Sequence, residues 1–341
     1  MTLLFRIDAN REFGFGHLVR SISLVNELRS RSMPMLLRIV FAGNYSESAM
    51  EMMQRDNIEF VNYNIDNEYA FIASQIALLQ PSLLYIDKIY PYGKEFIEQI
   101  QKQLPVVMMH NLCEASPYCT CFILPSAHTP HEKLSEFGLT RAKPNWFIGA
   151  EYIVLNRQVV NAVPTAKKGD MLQLVVTTGG SDPEKVLLRL LQMLRHLPID
   201  KLQIQALYGP SIGFLDELQN LQLPHNICIM PFAVEYLQQA DMAICTFGIS
   251  TYELMYLGIP VISVAHAQSN ALGSKTLAEN HRSIIDLGII DKLEAAELHA
   301  AIGKLTSQPE LRASMSALGR QLVDAKGVCR VGNIILKTLK L

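Results

Sequence analysis

Short apolar runs alternate along the chain with longer segments of helical period, the pattern of parallel strands covered by helices. In the first half the apolar runs predict strands at residues 3–8, 35–42, 58–63, 82–87, 106–110 and 121–124. Helices fall between them, including one over 17–29 in which Leu18, Ile22, Val25 and Leu28 form a single apolar stripe. The alternation lapses over the polar stretch 156–170, which carries Pro164 and Gly169 and reads as a linker. It restarts with strands expected at 172–178, 202–208, 227–230, 242–245 and 261–265, and closes with helices at 294–305, 309–326 and 328–339. The fold class expected is α/β. Two Rossmann-like domains, residues 1–157 and 168–341, would face a cleft, with ligands beyond the carboxyl ends of their strands.

Composition narrows the function classes. At 341 residues the chain is long enough for two domains, and with 49% hydrophobic and 18% charged residues it can fill two cores. A net charge of −2 without a block of like charge argues against a nucleic-acid groove. No apolar run reaches the roughly 18–20 residues of a membrane span, and the first residues lack the pattern of a signal peptide. The cysteines at 113, 119, 121, 228, 245 and 329 form no CxxC pair, so buried free thiols and a cytoplasmic location are expected.

Three glycine-bearing turns could carry chemistry. The first runs from Arg6 and Asp8 through Gly14 and Gly16 to His17. Its glycines allow close approach of a ligand, the following helix offers free N–H groups, and His17 can exchange a proton near neutral pH. A plain turn with a capping histidine is an equal reading. The turn is no NAD site, because the third glycine of that fingerprint is missing and no acid ends the second strand. The second turn is Gly179-Gly180-Ser181-Asp182-Pro183-Glu184. Here Ser181 and Glu184 have capping-box spacing, but adjacent glycines exceed what a cap requires. The third is Gly248-Ile249-Ser250-Thr251-Tyr252-Glu253, where a helix is expected to start near Ser250 and end at Gly258. Its bare N–H groups suit a diphosphate and Glu253 suits ribose hydroxyls, although Ser250 and Glu253 also form a capping box. His128 and His131 have a spacing that some metal sites use, yet lie in a polar loop without a third ligand. Neither a metal nor a cofactor is expected.

Taken together, these turns resemble one family. Arg6, Asp8, Gly14, Gly16, His17 and Arg20 follow the opening pattern of the UDP-sugar hydrolases of the pseudaminic-acid pathway and of SpsG-type polysaccharide biosynthesis proteins. The similarity continues through Gly149-Ala-Glu151-Tyr152, Gly179 to Pro183, Ala240-Asp241, Gly248 to Glu253, Leu257 to Pro260, Asn270, and Asp324 to Val331. That family resembles the GT-B glycosyltransferases, including the enzyme that makes the peptidoglycan lipid precursor.

The resemblance implies a UDP-sugar substrate, with UDP on the second domain. Phe232 would lie beside the base, Glu253 on the ribose, and Gly248, Ile249, Ser250 and Thr251 with Gly179, Gly180 and Ser181 on the diphosphate. The sugar would lie toward His17 on the first domain, near Arg6, Asp8, Gly14 and Gly16, with Asn270 and Tyr90 completing the catalytic set. Hydrolysis at the anomeric carbon is the reaction implied; glycosyl transfer and non-catalytic binding of a nucleotide sugar are the alternatives. The chain departs from the family pattern at Ser269-Asn270-Ala271, at His110-Asn111 and at Tyr90, all on the sugar side.

Overall fold

The computed structural model describes residues 1–31, 37–63, 66–140, 143–162, 171–197 and 201–341. The chain divides into two compact units, Met1–Val154 with Ala325–Leu341, and Leu155–Asp324.

The first unit is built on β1 (Thr2–Arg6), β2 (Arg38–Gly43), β3 (Glu59–Asn62), β4 (Leu83–Ile86), β5 (Val106–Met109), β6 (Cys121–Leu124) and β7 (Trp146–Ile148). All neighbours pair parallel, in the order β3-β2-β1-β4-β5-β6-β7. A parallel sheet covered on both faces needs strands that are apolar throughout, and β1 shows why. Leu3 and Phe5 enter one core with Leu18, Val25 and Leu28, while Leu4 enters the opposite core with Leu84, Phe71 and Ile97.

The second unit repeats the plan. Its strands are β8 (Leu172–Thr177), β9 (Leu202–Tyr208), β10 (Ile227–Pro231), β11 (Met242–Thr246), β12 (Val261–Ala265) and β13 (Ile284–Ile289), in the order β10-β9-β8-β11-β12-β13. Both orders are the 3-2-1-4-5-6 arrangement of the Rossmann fold, extended by one strand in the first unit. The order reverses between β1 and β4 in one sheet and between β8 and β11 in the other. Connections there leave on opposite faces, and a crevice opens at the carboxyl ends of the strands.

The alternating pattern thus located both sheets. β7 and β13 were not expected: one is only three residues long, and the other follows a long helix, Gln268–His281, without a turn signal. The expected strand at 35–42 appears as β2; its residues 35 and 36 lie outside the described residues, as do 163–170 of the expected linker and the expected domain start at 168.

The expected domain division needs correction at its far end. Residues 325–341 belong to the first unit, not the second. The last helix, Gly327–Thr338, buries Val331, Ile334 and Ile335 in the core that holds Leu18 and Val25. Gly327 makes this docking possible, since a β-carbon there would lie 1.9 Å from the Ile153 carbonyl oxygen. Arg330 then donates to the Glu151 carbonyl at 2.9 Å.

Candidate functional site

In the first unit, β1 leads into a turn closed by its own side chain. The Asn10 carboxamide oxygen accepts from the N–H groups of Glu12 and Phe13, and Gly14 takes φ +70° before the helix Gly16–Arg31 begins. His17 therefore sits on the first turn of that helix, beside the β1/β4 reversal. Its Nδ1 lies 2.7 Å from Oδ1 of Asp87, the residue that follows β4. Asp87 is fully buried and also bonds the Arg20 guanidinium through both oxygens, with Nε at 2.6 Å from Oδ2. Burial alone would raise the Asp87 carboxyl, but Arg20 and His17 outweigh it and hold the carboxyl well below the usual carboxylate range. The same Nδ1 lies 2.7 Å from the Arg20 guanidinium, so it faces a donor as well as an acceptor; in the tautomer that donates Nδ1–H to Asp87, the lone pair stands on Nε2. This is the arrangement that prepares a histidine as a general base.

Asp87 was not singled out by sequence reasoning. The one available signal was an acid ending an otherwise apolar strand.

Arg6 and Asp8, expected to touch substrate, do something else. Arg6 is 1% exposed and Asp8 3%. The Arg6 guanidinium bonds Asp8 and, at 2.8 and 2.7 Å, both oxygens of Glu68; Lys88 bridges Asp8 at 2.6 Å and Glu68 at 2.9 Å. Asp8 also accepts from the backbone N–H of Asn44. Two cations and two carboxylates close on each other beneath the glycine turn, so this pair braces the turn instead of reaching a ligand. Tyr90 packs its ring at 4.8 Å from Tyr92 and under the Lys88 ammonium, and its carbonyl accepts from Asn111.

In the second unit the corresponding turns carry the carboxylates of Asp182 and Glu253 where the first unit has ion-paired groups. Gly179 has φ +86°, and a β-carbon there would meet nothing within 4 Å. The helix after it is Val186–Leu194, and its start corrects the Ser181–Glu184 capping box. Both oxygens of the buried Asp182 carboxylate accept from the N–H groups of Val186 and Leu187 at 2.8 Å, and within the glycine turn the Gly180 carbonyl accepts from the Ser211 N–H at 3.0 Å. Gly209, another residue sequence reasoning missed, lets the end of β9 close onto this turn. A β-carbon at 209 would stand 2.2 Å from the Gly179 carbonyl oxygen. The Gly-Pro pair at 209–210 was a legible turn signal.

After β11 the helix runs Ile249–Leu257, one residue earlier than expected, and ends at Gly258 in the left-handed conformation. The Ser250–Glu253 capping box is absent. Gly248 is the N-cap, its N–H donates to the Thr251 hydroxyl at 3.3 Å, and Glu253 accepts instead from the backbone N–H of Asn156 at 3.0 Å. The Glu253 side chain is thus free of capping duty. Burial pushes its carboxyl up, with the Asn156 bond pulling the other way. Asn270 donates to the Phe247 carbonyl at 3.0 Å, tying the helix Gln268–His281 to the Gly248 turn; its placement is that of a support for the turn. Phe232, just beyond β10, is exposed at 36%. Ser181 is buried, and Ile249 and Ser250 are half-buried at the helix start.

Among the described residues no three His, Cys, Asp or Glu side chains come together as a metal site, and no helix is long and apolar enough to cross a membrane. All six cysteines are free; Cys113, Cys119, Cys121 and Cys245 are buried, Cys329 is half-buried and Cys228 exposed.

No family model matches the chain. It is 24% identical over 338 residues to the spore coat polysaccharide biosynthesis protein SpsG of Bacillus subtilis, covering 96% of each chain. An uncharacterized protein of Methanocaldococcus jannaschii is 23% identical over 323 residues, 89% of this chain and 64% of that protein, so the chain spans less than two thirds of that relative's length. Solved structures of like fold include MurG of Acinetobacter baumannii (14% identity, TM-score 0.66, 99% of this chain and 100% of that one). MnaA of S. aureus with UDP follows (14%, 0.67, 100% and 97%), as does the calicheamicin glycosyltransferase (15%, 0.68, 99% and 98%). The fold is therefore the GT-B kind, two parallel-sheet α/β domains in one chain.

Proposed function

We propose that the chain is an enzyme acting on a nucleotide-activated sugar, with UDP held by the second unit and proton chemistry supplied by His17 of the first. The observation that carries this reading is the pairing of His17 with the buried Asp87 at the β1/β4 reversal. Glycosyl transfer to a hydroxyl acceptor, in polysaccharide biosynthesis, is the reaction best supported. Among the structures of like fold one is titled a glycosyltransferase and another holds UDP, and the Bacillus relative bears a polysaccharide-biosynthesis name.

In this reading Nε2 of His17 takes the proton of the acceptor hydroxyl as its oxygen bonds the anomeric carbon. The bond from that carbon to the diphosphate breaks, and the electron pair leaves with UDP. Uncommitted amides at Gly179–Gly180 and at the start of the helix Ile249–Leu257 stabilise the departing charge, and Glu253 accepts from the ribose. Hydrolysis is the second reading, with water in place of the acceptor; the likeness of the Arg6-to-Arg20 pattern to the UDP-sugar hydrolases favours it. Incubation with a panel of UDP-sugars, with and without saccharide acceptors, separates the two. UDP release only with an acceptor supports transfer, and release without one supports hydrolysis. Failure to bind or consume any UDP-sugar sinks both.

A further inference from the structure

β5 is followed by a strained residue. His110 has φ +57°, a left-handed conformation that a β-carbon disfavours, and its Nδ1 is buried with no hydrogen-bond partner. Strained backbone and unpaired polar atoms gather where a ligand is to be met. The ring is half-buried and stands edge-on to His17, with centroids 5.8 Å apart and planes at 65°. Burial, with the Arg20 cation adding to it, pushes His110 well below the ordinary imidazole range, so it is uncharged at neutral pH. His128, pushed down to about 4 by burial, is uncharged there too.

A neutral imidazole carries one N–H. On the enclosed Nδ1 that hydrogen would be a donor with no acceptor, so it belongs on Nε2. His17 is the reverse in the tautomer that donates Nδ1–H to Asp87, with its lone pair on Nε2. Two adjacent rings at the sheet's reversal thus offer opposite polarity, one a donor and one an acceptor.

We propose that His110 is a substrate-contact residue, donating from Nε2–H to an oxygen of the sugar while His17 receives the proton of the nucleophile. The inference rests on the nucleotide-sugar reading, and its test separates the two. In the full-length protein, nitrogen-15 NMR of the imidazoles is expected to show His110 neutral and protonated on Nε2 at neutral pH. A charged ring, or an Nδ1–H tautomer, overturns the assignment whatever the protein acts on. With a UDP-sugar that the wild type consumes, His110→Phe keeps the ring but not the donor and is expected to lose about tenfold in turnover, the worth of one uncharged hydrogen bond. His110→Gln, which restores a donor of similar reach, is expected to recover part of the loss, and UDP alone should bind all three equally. Undiminished turnover in His110→Phe, or equal losses in both variants, overturns the proposal and leaves the parent reading standing. A wild type inert toward every UDP-sugar overturns the parent reading itself.

Discussion

The turn after β1 and the turn after β11 occupy equivalent ends of two sheets with the same strand order, yet they are made of opposite materials. Around the first, Arg6, Asp8, Glu68, Lys88, Arg20, Asp87 and His17 form two ion-paired groups under and beside a glycine turn. Around the second the polar groups are backbone amides, hydroxyls, the Asn270 carboxamide and one carboxylate, with glycines where side chains would otherwise stand. One fold can thus present either an imidazole held by buried charge or a turn of glycines and backbone amides. The choice lies in a few residues at the carboxyl ends of the strands.

Variants that swap these roles should give distinct signatures, and the largest is expected at His17. His17→Asn keeps a polar side chain but no base, so turnover should fall by about 10²–10⁴-fold. Calorimetry should show UDP affinity unchanged. If turnover survives, the first turn does no proton chemistry and the contrast fails.

Asp87→Asn should instead strike stability. It leaves the buried Arg20 unpaired, and breaking such a pair typically costs about 3–5 kcal/mol, read as a large drop in melting temperature that His17→Asn does not share. Because the folded carboxyl titrates below its unfolded value, its stabilisation is complete above about pH 4 and is lost as pH falls further, toward the lower folded pKa. Wild type should therefore lose stability in acid more steeply than Asp87→Asn.

On the second turn, Glu253→Gln should weaken UDP more than a 2′,3′-dideoxy analogue, by about 1.5–3 kcal/mol for a lost charged hydrogen bond. Equal weakening of both ligands would remove Glu253 from the ribose. The smallest effect is expected for Asn270→Ala, which frees the Phe247 carbonyl at a cost of about 1 kcal/mol. A loss of turnover as deep as that of His17→Asn would return Asn270 to the catalytic set.

How much of this was legible beforehand differs along the chain. His17, Gly14, Gly179 and Gly248 stand in turns that follow apolar runs, and local pattern locates such turns. Glu253 was placed near a helix start, but its capping-box alternative fails, because the frame Ser250-x-x-Glu253 satisfies the capping rule by spacing while the true helix begins at Ile249. Ser181 and Glu184 misled in the same way, since Asp182 caps from a left-handed position that spacing does not reveal. Arg6 and Asp8 were expected near the sugar because the family pattern includes them; Glu68, 62 positions beyond Arg6, turns them inward.

By itself the sequence determined the class of fold, since parallel strands buried on both faces must be apolar runs separated by amphipathic helices, and that alternation is written residue by residue. It also determined where the chain could bend closely enough to meet a ligand, because glycine alone combines a missing β-carbon with free access to positive φ. Tertiary structure decided which charges pair, which groups His17 meets, and which core receives the last helix. Those outcomes depend on contacts between positions distant in the chain: Asp87 lies 70 residues from His17. Local spacing carries no information about such distances; only the packed sheets bring them to a few ångströms.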